Sequence, residues 1–331
     1  IIIYNQVNIL IPWNGLGRMH DKYVIADDSL YILGGRNTFG YFLGDYAGHK
    51  NYDRDVLVYN TGSKASSIYQ IKDYYKKITS QKCCSVFHCN ESLGEKNSVK
   101  KAEQELKKRY ESLENKYDKF LAENYDYKAN TYETNKINLL SNPTSLYTKQ
   151  PTVYYGLMYL AKNAKKEVKI HTPYIICNDY MYNELKNIKV PTTIMTNSAE
   201  NNGNIFGAVD YLNHKKDIIN TGVTIKEYEG GISYHGKSMT IDDDIAIVGS
   251  FNMDMRSAYI DTELMLVINS KYINKQLKAS MEEYEKKAAT VKNETEYSHI
   301  PEGMKMKELS DKKKNIKAWF GWAMNGLRFL F

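Results

Sequence analysis

Residues 235–252, HGKSMTIDDDIAIVGSFN, have a counterpart near the start of the chain, where residues 20–37 read HDKYVIADDSLYILGGRN. When His20 is aligned with His235, the offset is 215 positions (235 minus 20) and no gap is needed. Five polar or glycine positions then coincide: His20 with His235, Lys22 with Lys237, Asp27 with Asp242, Gly34 with Gly249 and Asn37 with Asn252. Chance agreement at this level is very unlikely, so the chain is interpreted as a duplication of one unit, or of most of one.

Each copy predicts a β-hairpin. The segments KYVIADD and KSMTIDDD predict strands that end at an Asp turn, and LYILGG and IAIVGS predict the returning strands. The His and Lys of each copy are two residues apart, so they lie on one face of their strand. If the two copies pack symmetrically, both His-Lys pairs converge on one site.

The rest of the chain predicts an α/β fold of two similar units, each a mixed β-sheet flanked by helices. We expect a first unit at 1–147 with a solvated helical insertion at about 95–130, a second unit at 148–300 and a basic, aromatic tail at 301–331. Only 19 residues precede His20, whereas about 85 separate the unit boundary from His235. The first unit is therefore expected to lack most of its N-terminal half.

Composition narrows the partners only partly. The net charge of +6 permits nucleic acid, phospholipid headgroups or other anions as binding partners. The sequence contains no run of 18 or more apolar residues, so it predicts no membrane-spanning helix. Cys83, Cys84 and Cys89 cluster beside His88, but a second ligand pair is missing nearby, so the sequence predicts reduced thiols, with no metal and no cofactor. The tail has two interpretations: a helix in a membrane interface with Lys near anionic headgroups, or a helix docked on the protein's own core.

A doubled His-Lys site suits phosphodiester chemistry. One imidazole can attack phosphorus and form a phosphohistidine, while the second protonates the leaving alkoxide and later deprotonates the incoming hydroxyl. The paired Lys and Asn would surround the nonbridging oxygens with positive charge and N–H donors. Small residues are expected to let the phosphate approach the backbone; these are Gly34, Gly35, Gly249 and Ser250.

The motif His-x-Lys-x4-Asp followed by Gly-Gly/Ser-x-Asn, occurring twice, resembles the phospholipase D superfamily. Further segments are similar to bacterial cardiolipin synthases: RMHDKYVIADD…ILGGRN (18–37), YDRDVLV (52–58), TPYII (172–176), TNS (196–198), GVTIKEYEG (222–230) and GSFNMDMRSAYIDTEL (249–264). The resemblance covers nearly the whole chain except residues 95–130. It implies two units packed with pseudo-twofold symmetry around one active site.

The resemblance also implies roles for individual residues. His20 is expected to be the nucleophile and His235 the general acid/base, with Lys22, Lys237, Asn37 and Asn252 binding phosphate. Glu263 matches the acid that orients a catalytic His, and Asp53 is expected to play that part for the first motif, with Asp55 as the alternative. The remaining motif positions are expected to be structural: Asp27 and Asp242 at the hairpin turns, and Arg256 and Ser257 bracing the site.

The implied reaction is transphosphatidylation, in which a phosphatidyl group passes through His to a hydroxyl of phosphatidylglycerol. The implied partners are phospholipids and an anionic membrane surface, and nucleic acid is not expected. The implied location is the bacterial cell membrane, with the protein peripheral or anchored through a missing N-terminal segment. Two alternatives stay open: a phospholipase D-type hydrolase or nuclease with water as the acceptor, and a non-catalytic scaffold on the membrane surface.

Overall fold

A computed structural model describes the chain except for residues 8, 11–14, 44–49, 89, 118–124, 321–325 and 331. In chain order, the strands are β1 (Ile2–Tyr4), β2 (Tyr23–Ala26), β3 (Leu30–Gly34), β4 (Asn51–Tyr52), β5 (Asp55–Tyr59), β6 (Cys84–Val86), β7 (Lys136–Ser141), β8 (Val168–His171), β9 (Ile175–Ile176), β10 (Thr192–Asn197), β11 (Thr224–Tyr228), β12 (Ser233–Tyr234), β13 (Lys237–Ile241), β14 (Ile245–Gly249), β15 (Met253–Asp254), β16 (Leu264–Asn269), β17 (Ala288–Val291) and β18 (Tyr297–His299). The α-helices are α1 (Ser67–Thr79), α2 (Glu91–Gly94), α3 (Asn97–Lys116), α4 (Thr152–Lys162), α5 (Asp179–Lys186), α6 (Ile205–Ile219), α7 (Met255–Tyr259), α8 (Lys271–Glu285) and α9 (Asp311–Phe320).

The second unit is built on a nine-stranded mixed sheet in the order β18-β17-β11-β10-β8-β13-β14-β16-β7. Its parallel part, β8-β10-β11, is connected through α5 and α6, and the remaining pairs are antiparallel. Side-chain caps fix where these helices begin, because the Asn178 and Asn204 amide oxygens accept from free backbone N–H groups of the first turn. The predicted α/β alternation is confirmed for this unit.

The first unit repeats part of this arrangement on a smaller scale. Strands β2-β3-β5 form an antiparallel sheet followed by α1, just as β13-β14-β16 are followed by α8. The strand β3 (Leu30–Gly34) corresponds residue for residue to β14 (Ile245–Gly249) at the offset of 215. Both predicted hairpins are therefore present. Within the described residues, the first sheet contains no counterpart of the parallel strands β8, β10 and β11.

The two sheets share one hydrophobic core. Tyr31 and Leu33 of β3 pack in the same cluster as Ala246 and Val248 of β14, which are the equivalent positions of the duplication. Alternation along β14 and β16 sends every second side chain into this cluster and the others toward α4, α5 and α6. The duplicated hairpins thus face each other across an approximate twofold axis.

The opposite faces of the two hairpins differ in exposure. Met239 and Ile247 are 2% and 0% exposed, because helices cover that face of the second sheet. The equivalent side chains in the first unit, Val24 and Ile32, are 62% and 37% exposed. Every residue of α3, in the predicted insertion, is also exposed to solvent. The strand β7, which the predicted boundary assigns to the first unit, pairs with β16 of the second.

The tail contacts the body of the protein on both sides of residues 321–325. The buried Lys313 ammonium donates to the Ala199 and Asn202 carbonyls at 2.8 and 3.1 Å. Arg328 donates to Asp210 at 2.7 Å. The described part of the chain contains no helix with the length and apolar character needed to cross a bilayer. These contacts favour the docked interpretation for the described part of the tail, while Trp319 is 78% exposed.

Candidate active site

Each motif histidine lies in a short segment that forms backbone hydrogen bonds with the other unit. Tyr234 of β12 pairs in parallel with Tyr52 of β4, and the His235 N–H donates to the Tyr52 carbonyl at 2.6 Å. In the other direction, Met19 forms a parallel bridge with Thr262, and the His20 N–H donates to the Thr262 carbonyl at 3.3 Å. The two backbone connections are equivalent in the two units. The site predicted from both units therefore lies at their interface.

The two imidazoles take their carboxylates from opposite units. His20 Nδ1 lies 2.8 Å from Glu263 Oε1, and His235 Nδ1 lies 2.6 Å from Asp53 Oδ2. The expectation that Asp53 serves the first motif was wrong in this respect: it orients the histidine of the second motif, and Glu263 orients the histidine of the first. The reason is the parallel pairing described above, which places the residue after Tyr52 beside His235 and the residue after Thr262 beside His20.

Asp55, the alternative to Asp53, does not contact a histidine. Its carboxylate accepts from Arg36 Nε at 2.6 Å. Arg36 also donates to the Asp53 carbonyl at 2.9 Å and to the Phe42 carbonyl at 2.6 Å. Asp55 therefore holds the loop around the site, and the Phe42 ring meets the His235 ring edge-on with 4.9 Å between centroids.

Both motif lysines point into the site. Lys237 is 1% exposed, and its Nζ lies 2.6 Å from Nδ1 and 3.1 Å from Nε2 of His235. The Lys22 ammonium donates to the His20 carbonyl. Burial lowers the pKa of each lysine to about 8, although Asp53 and Glu263 favour the charged forms. Below that pH the site presents two cations to an anionic group.

The electrostatics of the two histidines are unequal. Burial, followed by the charges of the motif lysines, holds the pKa of His20 well below its usual range and lowers the pKa of His235 to about 3. Lys237 and the hydrogen bond from His235 hold the pKa of Asp53 below its ordinary value despite burial, whereas burial raises the pKa of Glu263 to about 8. His235 therefore has an ionised partner, and His20 has a partner that is still protonated at neutral pH.

The three motif glycines lie where a Cβ would overlap protein atoms, and Ser250 contacts a carboxylate. A Cβ at Gly34 or Gly249 would overlap the neighbouring strand, at Arg54 and Leu264 respectively. A Cβ at Gly35 would overlap the Asp53 carboxylate and approach Lys237 Cδ to 3.0 Å. At the position equivalent to Gly35, the Ser250 hydroxyl instead donates to Glu263, and Ser257 donates to the same carboxylate at 2.7 Å.

The motif asparagines lie where each hairpin ends. Asn252 is 4% exposed, and its Nδ2 donates to the Tyr174 hydroxyl at 3.0 Å. Its Oδ1 is buried with no hydrogen-bond partner. An unpaired buried acceptor is costly unless something donates to it, so this oxygen could accept a hydrogen bond from a bound molecule. Asn37 is half-buried at the equivalent position.

The motif aspartates have a structural role at the hairpin turns. Asp27 and Asp242 both adopt φ of +50°, in the left-handed region that tight turns need. The Asp242 carboxylate also accepts from the backbone N–H groups of residues 165–167, which lowers its pKa. Neither aspartate contacts a motif histidine.

Arg256 acts on the loop that carries Glu263. Its Nε donates to Asp261 at 2.8 Å, and its remaining nitrogens donate to the Leu16 and Leu330 carbonyls at 2.7 and 3.2 Å. Asp261 also accepts from the Arg18 N–H at 3.0 Å. Arg256 thereby ties the segments before His20 and Glu263 to the tail.

Three contributors were not assigned from the sequence: Phe42, Tyr174 and Arg54. Arg54 follows Asp53 and crosses the interface to donate to the Tyr234 hydroxyl at 3.0 Å and to Ser238 at 2.6 Å. Tyr174 and Arg54 lie in segments quoted above as similar to cardiolipin synthases, which was the available signal. Among the described residues no His, Cys, Asp and Glu cluster could hold a metal ion, and Cys89 lies outside them.

Comparisons of the sequence with known proteins identify similar domains. A family model described as "Cardiolipin synthase, PLD-like domain" matches residues 157–284. An uncharacterized protein of Helicobacter pylori is 26% identical over 297 residues, covering 81% of this chain and 57% of its own. Cardiolipin synthase 1 of Staphylococcus epidermidis is 30% identical over 159 residues, covering 47% and 32%. The chain thus spans about a third to just over half the length of these curated relatives.

A solved structure gives the same fold. The crystal structure of phosphatidylserine synthase from Haemophilus influenzae superposes with a TM-score of 0.61, covering 96% of this chain and 72% of that chain at 14% identity. At this identity the likeness concerns the fold alone. The likeness extends over almost the whole chain, and it therefore includes both units.

Proposed function

We propose that this chain, which belongs to the phospholipase D superfamily and is cardiolipin synthase-like, is a phospholipid transphosphatidylase that works through a covalent phosphohistidine. The observation that carries the proposal is the crossed arrangement of two imidazoles, each held at Nδ1 by a buried carboxylate of the other unit. With Nδ1 held by a carboxylate, Nε2 is the ring nitrogen left for phosphoryl chemistry in each histidine, and Lys237 Nζ lies 3.1 Å from Nε2 of His235. The duplicated lysines and asparagines supply donors for a phosphodiester there.

The unequal carboxylates support a division of labour. Burial and Lys237 lower the pKa of His235, but the ionised Asp53 opposes this shift and favours the protonated ring that a general acid needs. The raised pKa of Glu263 favours a neutral ring at His20, which suits a nucleophile. Once Glu263 ionises, Nδ1 of His20 keeps its proton and Nε2 keeps the lone pair that attacks.

In the first step His20 Nε2 forms a bond to phosphorus, and the phosphorus–oxygen bond to the leaving alcohol breaks. The proton of His235 passes to that oxygen, so the alcohol leaves neutral. Charge on the nonbridging oxygens is stabilised by Lys22 and Lys237, and the cationic His20 ring by Glu263. The lysines would supply the charge stabilisation that metal ions supply in other phosphodiesterases.

In the second step the neutral His235 removes the proton of an incoming hydroxyl. That oxygen attacks phosphorus, the P–N bond to His20 breaks, and the free enzyme is restored. We propose that the hydroxyl belongs to phosphatidylglycerol, because the family model matching residues 157–284 is a cardiolipin synthase domain. Action on such a substrate would place the protein at a bacterial membrane. The exposed Trp319 and the exposed Lys312, Lys314 and Lys317 of α9 suit a peripheral contact with anionic lipid.

The direct test is incubation with vesicles of phosphatidylglycerol, followed by lipid mass analysis. We expect cardiolipin and free glycerol, and neither product from H20A or H235A of unchanged thermal stability. Phosphatidic acid as the main product would show that the protein is a hydrolase and not a transferase. An unchanged lipid would contradict the proposal.

A further inference from the structure

Asn197, at the end of β10, contacts no catalytic side chain but grips the residue before His235. Its side chain is 1% exposed. Oδ1 accepts from the Tyr234 N–H at 2.8 Å, and Nδ2 donates to the Tyr234 carbonyl at 2.7 Å. One amide thus binds both backbone groups of a single residue.

The remaining capacity of this amide is also used. Nδ2 donates to the Pro173 carbonyl at 2.9 Å, and Oδ1 accepts from Asn201 Nδ2 at 3.0 Å. A primary amide offers two donor hydrogens and two acceptor lone pairs, so all four are occupied. Rotating the amide would place like groups together at every contact, and therefore the side chain has one orientation.

Tyr234 is held on its other sides as well. Its hydroxyl accepts from Arg54 at 3.0 Å and lies 3.2 Å from His171 Nδ1. The next residue, His235, must bring its ring to Asp53 of the other unit. A small rotation of the Tyr234 peptide would be passed directly to that ring, and a displacement of about 1 Å can lower a catalytic rate about 10²-fold.

The first motif has a different connection at this place. The residue equivalent to Tyr234 is Met19, which is 42% exposed and bridges Thr262. In the described part of the chain, no side chain hydrogen-bonds to the Met19 backbone. The clamp is therefore particular to the second histidine.

We infer that Asn197 is a positioning residue for His235, and that it acts on proton transfer to the leaving alcohol and not on the attack by His20. The inference rests on the proposed function. It predicts that losing the clamp matters only when the leaving group needs a proton. A leaving group that departs as a stable anion should be insensitive to it.

The test compares N197A with N202A in single-turnover release of two leaving groups. Asn202 is a matched control, because it is buried and donates to the same Pro173 carbonyl at 3.3 Å but does not contact Tyr234. The substrates are phosphatidylglycerol, which releases glycerol, and the p-nitrophenyl ester of short-chain phosphatidic acid, which releases p-nitrophenolate. For N197A we expect glycerol release to fall by about 10-fold to 10²-fold and p-nitrophenolate release to stay within about threefold of the wild type, while N202A affects both alike.

Equal slowing of both releases by N197A would show a merely structural role and overturn the inference, as would an unchanged glycerol release. Circular dichroism and thermal unfolding establish whether the variants fold. If N197A does not fold, N197S replaces it in the same comparison. A wild-type protein that releases neither group overturns the proposed function itself. If the wild type releases both leaving groups, a negative result with N197A counts against the role of Asn197 and not against the proposed function.

Discussion

Two buried carboxylates place the two histidines in different electrostatic surroundings. Asp53 and Glu263 are both 0% exposed at the side chain, yet the pKa of Asp53 is lowered and that of Glu263 is raised. Burial is the largest influence on both pKa values, but at Asp53 it is outweighed by Lys237, by His235 and by the Arg54 N–H, whereas at Glu263 it is not outweighed. Equivalent positions of a duplicated unit have therefore become chemically unequal.

Replacing Asp53 tests the crossed pairing. We expect D53N to lower kcat by about 10²-fold or more, because the amide no longer stabilises a protonated His235. D55N is the control on the same strand, since Asp55 bonds Arg36 and no histidine; it should retain kcat within about tenfold. Steady-state kinetics of both variants decide, and a larger loss in D55N than in D53N would contradict the assignment.

The loss of kcat/KM at high pH follows from the two motif lysines. Their charged forms, which bind the phosphodiester, are lost as the pH rises through about 8. We therefore expect kcat/KM of the free enzyme to fall above about pH 8. E263Q keeps both lysines and should keep this falling limb. An unchanged kcat/KM of the wild type across pH 8 would show that the lysines do not control the rate.

The motif residues were predictable from the sequence because each occurs twice in one context. The pairing of acids with histidines was not, since the 28-residue spacing of His235 and Glu263 carries no information about which unit's histidine the carboxylate meets. That depends on the parallel contacts of Tyr52 with Tyr234 and of Met19 with Thr262. Strand contacts as short as these leave no periodic pattern in a sequence.

At the scale of elements, the β-hairpin is the unit that is repeated. Each hairpin ends in a glycine because the neighbouring segment leaves no room for a Cβ there. Both hairpins were predicted from strand alternation and Asp turns, and both turn aspartates adopt the same positive φ. The exposure of Val24 and Ile32 was not predictable, because alternation shows that a face is apolar but not which helices cover it.

Substituting the strand-end glycine tests this packing. At Gly249 an added Cβ would overlap the Leu264 carbonyl, which belongs to β16 and cannot move aside as a side chain can. We expect G249A to lower the free energy of unfolding by about 1–3 kcal/mol. G94A is the control, because no atom lies within 4 Å of a Cβ there. Urea denaturation measures both, and equal stability of the two variants would contradict the predicted overlap.

At the scale of the whole molecule, the shared core makes the two units one folding unit. Leu33 of the first unit packs with Val248 and Leu266 of the second, and Arg54 crosses the same interface. The sequence indicated that two units exist through the offset of 215. It could not indicate how much apolar surface they share, because the residues in contact are distant along the chain.

A core truncation in one unit should therefore destabilise both. We expect L33A to lower the midpoint of a single urea transition, with a loss of about 2–5 kcal/mol. Hydrogen exchange should show reduced protection in β14 and β16 as well as in β2 and β3. Unchanged protection in the second unit would mean that the units unfold independently.

The central claim is that His20 carries the phosphatidyl group while His235 moves the proton. It is tested most directly by intact-protein mass spectrometry of H235A mixed with the p-nitrophenyl ester of short-chain phosphatidic acid. That leaving group needs no proton, and the second step lacks its base, so an adduct should accumulate. We expect a mass increase of one phosphatidyl group located on His20, and none in H20A. An adduct on another residue, or no adduct in H235A despite release of p-nitrophenolate, would contradict it.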